Sequence, residues 1–363
     1  MRSVFRRKWD NLDLKIESIY RKHNSRKQAK IRLKRMHGGF KCGKEYKEIV
    51  LPYWKKYGYR PAKYWYQIFC DSDHIVDPRY IPDDLYYGEM IPYFSNSQFR
   101  RFGEDKCYHD IWFPDVKRPE TICKNIAGVY YSSEMLPISF DDAVSRVLSF
   151  KNECLIKPSI DSGEGRLIKF FEPRLINTAE IENTFKTMGA NFIVQAGVKQ
   201  HEELAKLNPS SLNTIRVVSF FFENNVYVLS CILRVGAPNS KVDNVGAGGF
   251  ACPIQTDGQL NTKAVNRRAE WVEENSAGVK FAEIKVPCFD KVIDTVKNAH
   301  KRLAHFKLIG WDFSVDTCGD PVLIEYNTCP GANQISCGPT FGEITDRVLD
   351  EFFINRTLAT AQN

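Results

Sequence analysis

Asp312, Glu325 and Asn327 are the residues whose types and spacing most clearly indicate chemistry. They belong to the segment 310–331, GWDFSVDTCGDPVLIEYNTCPG, which predicts two short strands joined by a two-residue Cys-Gly turn. That turn would place Asp312 directly across from Glu325, and Asn327 on the same face, because side chains alternate with period two. Like charges placed opposite one another destabilise a sheet unless a cation lies between them. Two carboxylates and an amide oxygen suit Mg2+, which prefers oxygen ligands, whereas a solvated polar face is the alternative interpretation.

A lysine at the end of a predicted strand forms a second candidate element. The segment 153–171, ECLIKPSIDSGEGRLIKFF, reads as two strands around a loop of small residues, and Lys157 ends the first strand. The loop, which contains Ser162, Gly163 and Gly165, could expose backbone N–H groups to a polyphosphate, and the lysine could reach a phosphate as a point charge. The loop is not a Walker A motif, and an ordinary flexible hairpin is the alternative interpretation.

Two arginines are predicted to converge at one end of a further hairpin. The strands 217–222 and 226–233 are separated by a turn of Glu and Asn residues, and Arg216 and Arg234 lie at their outer ends. Guanidinium groups in these positions would form a fork for phosphoryl or acyl phosphate oxygens. Two surface arginines in a simple antiparallel sheet are the alternative.

Length and composition are those of a globular protein with two or three packed units. Of the 363 residues, 43% are hydrophobic and 26% are charged. No apolar run approaches the roughly 20 residues that span a bilayer, and the N-terminus lacks the apolar centre of a secretory signal. Eleven cysteines without CxxC pairs favour reduced thiols in a cytoplasmic protein and argue against a zinc site or a disulfide framework.

Positive charge is concentrated in residues 1–35, which carry 13 Lys or Arg against 3 Asp or Glu, a net charge of +10. The whole chain carries +7, so the remaining residues are slightly acidic. The pattern predicts one or two helices that end at Gly38-Gly39. Four interpretations stay open for this arm: a solvated helix, attraction to anionic lipid headgroups, binding of a polyanionic glycan, and nucleic-acid binding. Nucleic acid is disfavoured because no known reader fold is present and few aromatic residues are interleaved with the charges.

The segment that follows, residues 41–125, is rich in Tyr, Trp, Phe and Pro. Prolines recur too often for long helices, except near 45–57, so we expect a compact, loop-rich domain packed by aromatic side chains. Such a domain could hold an acceptor substrate. The sequence alone assigns none of its residues a chemical role.

The pattern Asp312, then Glu325-Tyr-Asn327, then Pro330-Gly331 resembles the metal-binding end of the ATP-grasp superfamily, which includes D-alanine–D-alanine ligase and glutathione synthetase. The combination of LNTIRV, NVGAGG and WDFSVD…LIEYN is most similar to the sugar-transfer-associated branch, whose members tend to be linked to bacterial surface polysaccharide synthesis. The resemblance implies an α+β protein with the ATP-grasp fold, in which two α+β lobes clamp ATP.

The resemblance also implies an order of domains along the chain. A basic helical arm (1–40) and an aromatic-rich N-terminal domain (41–125) would come first. The small ATP-grasp lobe with the glycine loop (126–195) would follow, and the large lobe with the metal-binding hairpin (196–363) would end the chain.

Within that fold, the resemblance implies a role for each candidate residue. Asp312, Glu325 and Asn327 would bind the Mg2+ ions that bridge the ATP phosphates. Ala196 departs from the acid that many relatives carry after the glutamine of the adenine hinge. The other roles are phosphate binding by Lys157, Ser162, Gly163 and Gly165, adenine recognition by Gln195, Ala196, Gly197 and Val198, and charge neutralisation at the reacting centre by Lys157, Arg216 and Arg234.

The family chemistry implies an ATP-dependent carboxylate–amine ligase that uses ATP and Mg2+. A carboxylate is phosphorylated to an acyl phosphate with release of ADP, and an amine then displaces phosphate to form an amide. The expected substrates are an amino acid or amine and a sugar acid or glycan-linked carboxylate, in the cytoplasm or peripherally at the inner face of the membrane. An ATP-grasp kinase that phosphorylates a hydroxyl, and a nucleotide-binding scaffold of a glycan assembly complex, are the alternatives.

Overall fold

The structure is a computed structural model that describes residues 2–71, 73–160, 167–237, 240, 248–266 and 268–355, with side chains from Leu12 to Ile354. Three residues of the predicted phosphate loop, Ser162, Gly163 and Gly165, lie outside the described residues.

Helices make up most of the described N-terminal third of the chain, and they pack against the larger sheet. The basic arm is one long helix, α1, which ends at Arg35, close to the predicted end at Gly38-Gly39. The predicted helix near 45–57 is present as a run of short α- and π-helical turns. The α-helices are α1 (Arg2–Arg35), α2 (Gly43–Glu45), α3 (Leu51–Lys55), α4 (Lys63–Phe69), α5 (Asp83–Leu85), α6 (Ile91–Phe94), α7 (Arg100–Gly103), α8 (His109–Trp112), α9 (Phe140–Ser149), α10 (Thr178–Met188), α11 (Glu202–Ala205), α12 (Phe289–His300), α13 (Gln334–Cys337) and α14 (Thr345–Asp350).

Tighter and wider helical turns join several of these helices. The π-helical turns are Tyr46–Val50, Tyr86–Met90 and Glu351–Asn355, and the 3-10 turns include Ser97–Phe99, Lys106–Tyr108, Phe281–Glu283 and Gly342–Ile344. Among the helices of the described residues, none combines the length and apolarity that crossing a bilayer requires.

Within the described residues the strands form two antiparallel sheets. The smaller sheet has the order β3-β2-β1-β6-β4-β5, and the larger has the order β11-β10-β9-β8-β7-β12-β13. Mixed helices and sheets confirm the predicted α+β class. The strands are β1 (Thr121–Ile126), β2 (Val129–Tyr131), β3 (Pro137–Ile138), β4 (Cys154–Pro158), β5 (Lys169–Phe171), β6 (Phe192–Ala196), β7 (Thr214–Phe222), β8 (Asn225–Val235), β9 (Phe250–Pro253), β10 (Ala264–Asn266), β11 (Trp271–Val272), β12 (Leu308–Val315) and β13 (Pro321–Asn327).

The two faces of the central strand β12 differ, because one packs in the hydrophobic core and the other carries a candidate site residue. All eight of its residues are buried. Ile309, Trp311, Phe313 and Val315 belong to one hydrophobic core, where α12 also packs, while Asp312 alternates with them and faces the other side. Because one face is filled by apolar side chains, a slip of one residue would bury the acid among them, and the register is strongly specified.

The aromatic-rich segment does not have a core of its own. Trp54, Trp65 and Tyr66 are fully buried in a cluster that also contains Phe220 of β7 and Phe352 near the C-terminus. The segment therefore packs directly onto one end of the large sheet, as short helices. The division of the chain into four domains stays a prediction.

Candidate active site

Asp312 and Glu325 lie directly opposite each other on β12 and β13, as the sequence predicts. Gly310 lies opposite Asn327 two residues farther along, so the three oxygen-bearing side chains share one face of the sheet. Asp312 is 2% exposed, which makes its carboxylate costly to leave without compensating charge.

The turn of this hairpin differs from the prediction. The backbone N–H of Asp316 donates to Asp320 O at 3.1 Å, which leaves a loop of three residues rather than two. Gly319 ends the loop with φ of +80°, a conformation that glycine adopts without strain. A bulge between Asp312 and Phe313 then restores the predicted partners at the other end of the hairpin.

Two arginines bind the Asp312 carboxylate from the neighbouring strands. Arg216 of β7 lies directly opposite Asp312, with Nη2 donating to Oδ2 at 2.7 Å and Nε donating to Oδ1. Arg234 of β8 reaches the same Oδ2 from Nη1 at 3.2 Å. The predicted convergence of the two arginines is therefore present, but they meet on a predicted metal ligand rather than around an open space.

Gly310 provides the room that Arg216 occupies. A Cβ atom built on Gly310 would lie 3.3 Å from Arg216 Cδ and 3.0 Å from Pro330 Cβ. Both distances are shorter than ordinary van der Waals contacts, so a side chain at this position would push the guanidinium away from Asp312.

Glu325 is held by lysines rather than by arginines. Lys106 Nζ lies 3.2 Å from Glu325 Oε2, and this lysine is only 9% exposed. Burial alone would raise the pKa of Glu325, but the ammonium groups of Lys106 and Lys157, with Arg216, lower it to about 2. The carboxylate is therefore ionised at every physiological pH, as a metal ligand must be.

Lys157 is the second buried cation beside the acidic pair. It lies on β4, which pairs with β5 and β6, and its side chain is 6% exposed. Burial, together with the nearby charge of Lys106, lowers its pKa to about 8, although Glu325 and Asp312 oppose that shift. The charge interactions of its ammonium group with Glu325 and Asp312 place it beside the two predicted metal-binding acids.

Positive charge exceeds negative charge at the site. Four buried or half-buried cations face two carboxylates. This surplus of positive charge suits a polyanionic ligand such as a polyphosphate. The described residues contain no group of three or more His, Cys, Asp or Glu side chains that could hold a metal, so the amide of Asn327 and oxygens of a bound nucleotide would complete a Mg2+ site. The donor set fits Mg2+ in chemical type. The cations are Lys106, Lys157, Arg216 and Arg234, and the acids are Asp312 and Glu325.

Lys106 is a residue that sequence reasoning missed. It lies in the aromatic-rich segment, which is held against β13 by Glu104, whose Oε1 accepts from Thr328 N at 2.6 Å and Thr328 Oγ1 at 2.8 Å. Tyr326 also donates its hydroxyl to Gly103 O. These contacts join positions more than 200 residues apart, and no local pattern around Lys106 indicates them.

The predicted adenine hinge, Gln195, Ala196, Gly197 and Val198, lies where β6 ends and before the chain enters the large sheet. The backbone N–H groups of Ala196 and Gly197 donate to carbonyl oxygens of neighbouring segments at 2.8 and 2.9 Å. Gln195 is buried, and its Oε1 has no hydrogen-bond partner among the described residues. The hinge role stays a prediction, in which the side-chain oxygen of Gln195 is the available acceptor.

Several solved structures are similar to this chain at low identity. D-alanine–D-alanine ligase from Bacillus anthracis is 15% identical over 73% of this chain and 68% of that chain, with a TM-score of 0.38. D-cycloserine synthetase DcsG is 15% identical over 70% and 71%, with a TM-score of 0.40. D-alanyl-alanine synthetase A from Vibrio cholerae is 12% identical over 69% and 65%, with a TM-score of 0.39. No curated protein matches the sequence.

A family model described as sugar-transfer associated ATP-grasp matches residues 175–344. The matched region contains both arginines and all three predicted metal ligands, whereas Lys106 and Lys157 precede it. Residues 175–344, slightly less than half of the chain, are therefore similar to the sugar-transfer associated ATP-grasp family, which agrees with the resemblance and the fold that the sequence motifs predict.

Proposed function

We propose that this protein is an ATP-dependent carboxylate–amine ligase that joins an amino acid or amine to a sugar acid or a glycan-linked carboxylate. The observation that carries the proposal is the opposition of Asp312 and Glu325 on one sheet face, surrounded by four cations. The family match supports the use of ATP, and its description supports a role near sugar transfer. The identities of the acid and the amine are part of the proposal.

The residues of this site would act by positioning and by charge. Asp312, Glu325 and Asn327 would hold Mg2+, which would supply charge neutralisation at the phosphates. Lys157, which is buried beside the two acids, would bind a phosphate oxygen directly. Arg216 would turn part of its fork from Asp312 toward the transferring phosphoryl group.

The proposed reaction has two steps. A carboxylate oxygen of the acid substrate attacks the terminal phosphorus of ATP, the bond to ADP breaks, and an acyl phosphate forms. The amine nitrogen then attacks the acyl carbon, the bond to phosphate oxygen breaks, and the amine loses a proton to solvent. Both steps concentrate negative charge on phosphate oxygens, where buried cations are most effective.

The location of the protein is a separate proposal. The basic arm would bring the enzyme to an anionic membrane surface on the cytoplasmic side, where a glycan-linked substrate would be found. Replacement of Arg2, Arg6, Arg7 and Lys8 by Gln removes four charges from the start of α1, and a sedimentation assay with anionic and neutral vesicles then tests this point. Binding that is unchanged by the substitutions would contradict it.

A hydroxylamine trap tests the reaction without knowledge of the amine. The protein is incubated with MgATP, a pool of sugar acids and hydroxylamine, and the products are measured as ADP and as hydroxamates. A ligase forms both in equal amounts, because hydroxylamine captures the acyl phosphate. ADP with a phosphorylated sugar and without hydroxamate would instead indicate a kinase, and absence of ADP would contradict an enzymatic role. Glu325→Gln is the control for contaminating ATPase, since it keeps the shape of the site.

A further inference from the structure

The basic helix α1 is docked on the body of the protein rather than projecting from it. Lys22 Nζ lies 2.7 Å from Glu89 Oε1, and Arg26 Nε donates to Asp84 Oδ2 at 2.7 Å. Ala29 is 4% exposed beneath the helix. The C-terminal half of α1 is therefore part of the folded structure, and its position relative to the site is fixed.

A groove lies along one side of α1, beside the contacts that dock this helix on the aromatic-rich segment. It encloses a cavity of about 570 Å3, whose floor includes Trp65, Tyr87 and Cys329. Arg21 of α1 donates from Nη1 to Cys329 Sγ at 3.2 Å. Cys329 follows the predicted metal ligand Asn327 by two residues, so the groove opens beside the candidate active site.

The groove continues past both ends of this cavity. A neighbouring cavity of about 480 Å3 shares Glu17 and Arg100 with it and reaches Ile160, three residues after Lys157. On the other side, a cavity of about 260 Å3 shares residues with it and is lined by residues 331–336, the loop after the metal-binding strand. The groove therefore passes from the phosphate side of the site to the loop beyond β13.

The lining of the groove mixes polar and apolar side chains, and its charged residues carry more positive than negative charge. The residues of α1 that line it follow one stripe of the helix and include the side-chain amides Asn24 and Gln28. Tyr20 of α1 is 68% exposed and contributes an aromatic surface, whereas Trp65 at the base of the cavity is buried. Four arginines and two acids line the central cavity: Arg21, Arg32, Arg35, Arg100, Glu17 and Asp83.

Guanidinium groups, amides and an aromatic surface together are the groups that bind an anionic sugar. Arginines pair with carboxylates, amides hydrogen-bond hydroxyl groups, and an exposed aromatic ring covers the apolar face of a sugar ring. The three adjoining cavities give room for more than one sugar unit.

We propose that the groove beneath α1 binds the acceptor as an anionic oligosaccharide, with α1 forming one wall of the acceptor site. The inference rests on the proposed function, since it names the substrate class of that reaction. It also assigns the basic charge of the C-terminal half of α1 to substrate binding.

Isothermal titration of the full-length protein with trigalacturonate, an anionic trisaccharide, tests the proposal, and maltotriose serves as the neutral probe. Arg32→Gln/Arg35→Gln removes two charges from the groove, whereas the matched control Lys30→Gln/Lys34→Gln removes two charges from the same turns outside its lining. We expect trigalacturonate to bind the wild type and the control within two-fold of each other, and the groove variant at least ten-fold more weakly. Gln28→Trp, which fills the groove without changing charge, should weaken binding by a similar factor and covers the case in which the arginine variant does not fold.

Three results would overturn the groove assignment: no binding of trigalacturonate, equal loss in both charge variants, or equal binding of maltotriose. Titration with MgADP in parallel separates this outcome from a failure of the proposed function. MgADP that binds while trigalacturonate does not would remove the groove and leave the ligase in place. Trigalacturonate that binds while MgADP does not would remove the ligase and keep the sugar site.

Discussion

Arg216 and Asp312 lie directly opposite each other on β7 and β12, and their side chains form a two-point ion pair, with Nη2 2.7 Å from Oδ2. A carboxylate suited to Mg2+ is thus held by a guanidinium suited to phosphate. We infer that a bound magnesium nucleotide exchanges this pair for metal–carboxylate and arginine–phosphate contacts. The pair holds the carboxylate and the guanidinium in defined orientations.

Replacement of Arg216 by lysine should disable the site while keeping its charge. Lysine cannot reproduce the planar fork, so one hydrogen bond to buried Asp312 is lost, at a cost of about 2 kcal/mol in the free energy of unfolding. We expect ADP formation to fall by roughly 100-fold, since the phosphoryl group loses the same fork. Urea denaturation and an ADP assay measure the two effects. Activity close to that of the wild type would contradict the assignment of Arg216.

Gly310→Ala should weaken the ion pair between Arg216 and Asp312, because the added methyl group crowds the Arg216 side chain. The added Cβ would lie 3.3 Å from Arg216 Cδ and 3.0 Å from Pro330 Cβ, and we expect a loss of about 1–3 kcal/mol in the free energy of unfolding. The control is Gly43→Ala, whose Cβ would meet only Lys63 Nζ at 3.5 Å. Thermal denaturation of both variants checks the prediction. Equal melting temperatures would show that Arg216 has room to move.

Affinity for MgADP should decrease as the pH rises above about 8. Burial lowers the pKa of Lys157 from its ordinary value of 10.5 to about 8, so the charge that binds phosphate is lost in this range. Titration of Lys157 does not destabilise the fold in this range. Between pH 8 and 10.5 the unfolded chain binds more protons at this lysine than the folded protein does, so the contribution of Lys157 to the free energy of unfolding rises with pH. Titration calorimetry between pH 7 and pH 9.5 measures the effect. The variant Lys157→Met should bind more weakly at pH 7 and show a flat profile, and a sloping profile in that variant would implicate another group.

Glu325 should contribute to stability at neutral pH and lose that contribution in acid. Burial opposes ionisation, but Lys106 and its neighbours lower the pKa from the ordinary 4.5 to about 2. The contribution is therefore fully present above pH 4.5 and disappears as the pH falls toward 2. Denaturation curves between pH 6 and pH 2 should show a steeper decline for the wild type than for Glu325→Gln. Parallel curves would mean that the lysines do not hold this carboxylate.

Lys106→Met should impair catalysis although the residue lies outside the matched family region. Removal of this ammonium leaves Glu325 with less compensating charge, which raises its pKa and disfavours its ionised form. We expect ADP formation to fall at least ten-fold. The matched control is Lys117→Met, which removes an exposed lysine paired with Asp316 at the opposite end of the same hairpin. Similar activities of the two variants would confine Lys106 to a structural role.

Local patterns were sufficient to predict the acidic hairpin and the arginine pair. Alternation of apolar and polar residues along β12 fixes which face carries Asp312, and strong turn residues separate both pairs of strands. The two-residue turn was wrong, yet the opposition of Asp312 and Glu325 was confirmed, because a longer loop and a bulge offset each other. Neither the loop length nor the bulge has a distinct signal in the residues around Gly319.

Long-range packing was not predictable from the same patterns. The contact of Lys106 with Glu325 depends on how the aromatic-rich segment packs against β13, and neighbours in sequence carry no information about it. The groove beneath α1 is similar in kind, since a basic helix looks the same in sequence whether it is solvated or docked. Arg26 and Lys22 could not be recognised as ion-pair partners of the body before their acids were located in space.

A crystal structure with Mn2+ and a non-hydrolysable ATP analogue would test the central claim most directly, because anomalous scattering locates the metal independently of the nucleotide. We expect a manganese peak at coordination distance from carboxylate oxygens of Asp312 and Glu325 and from the amide oxygen of Asn327. Arg216 should have moved at least one of its nitrogens from Asp312 to a phosphate oxygen. A nucleotide bound elsewhere, or a metal with no contact to Asp312 and Glu325, would contradict the account.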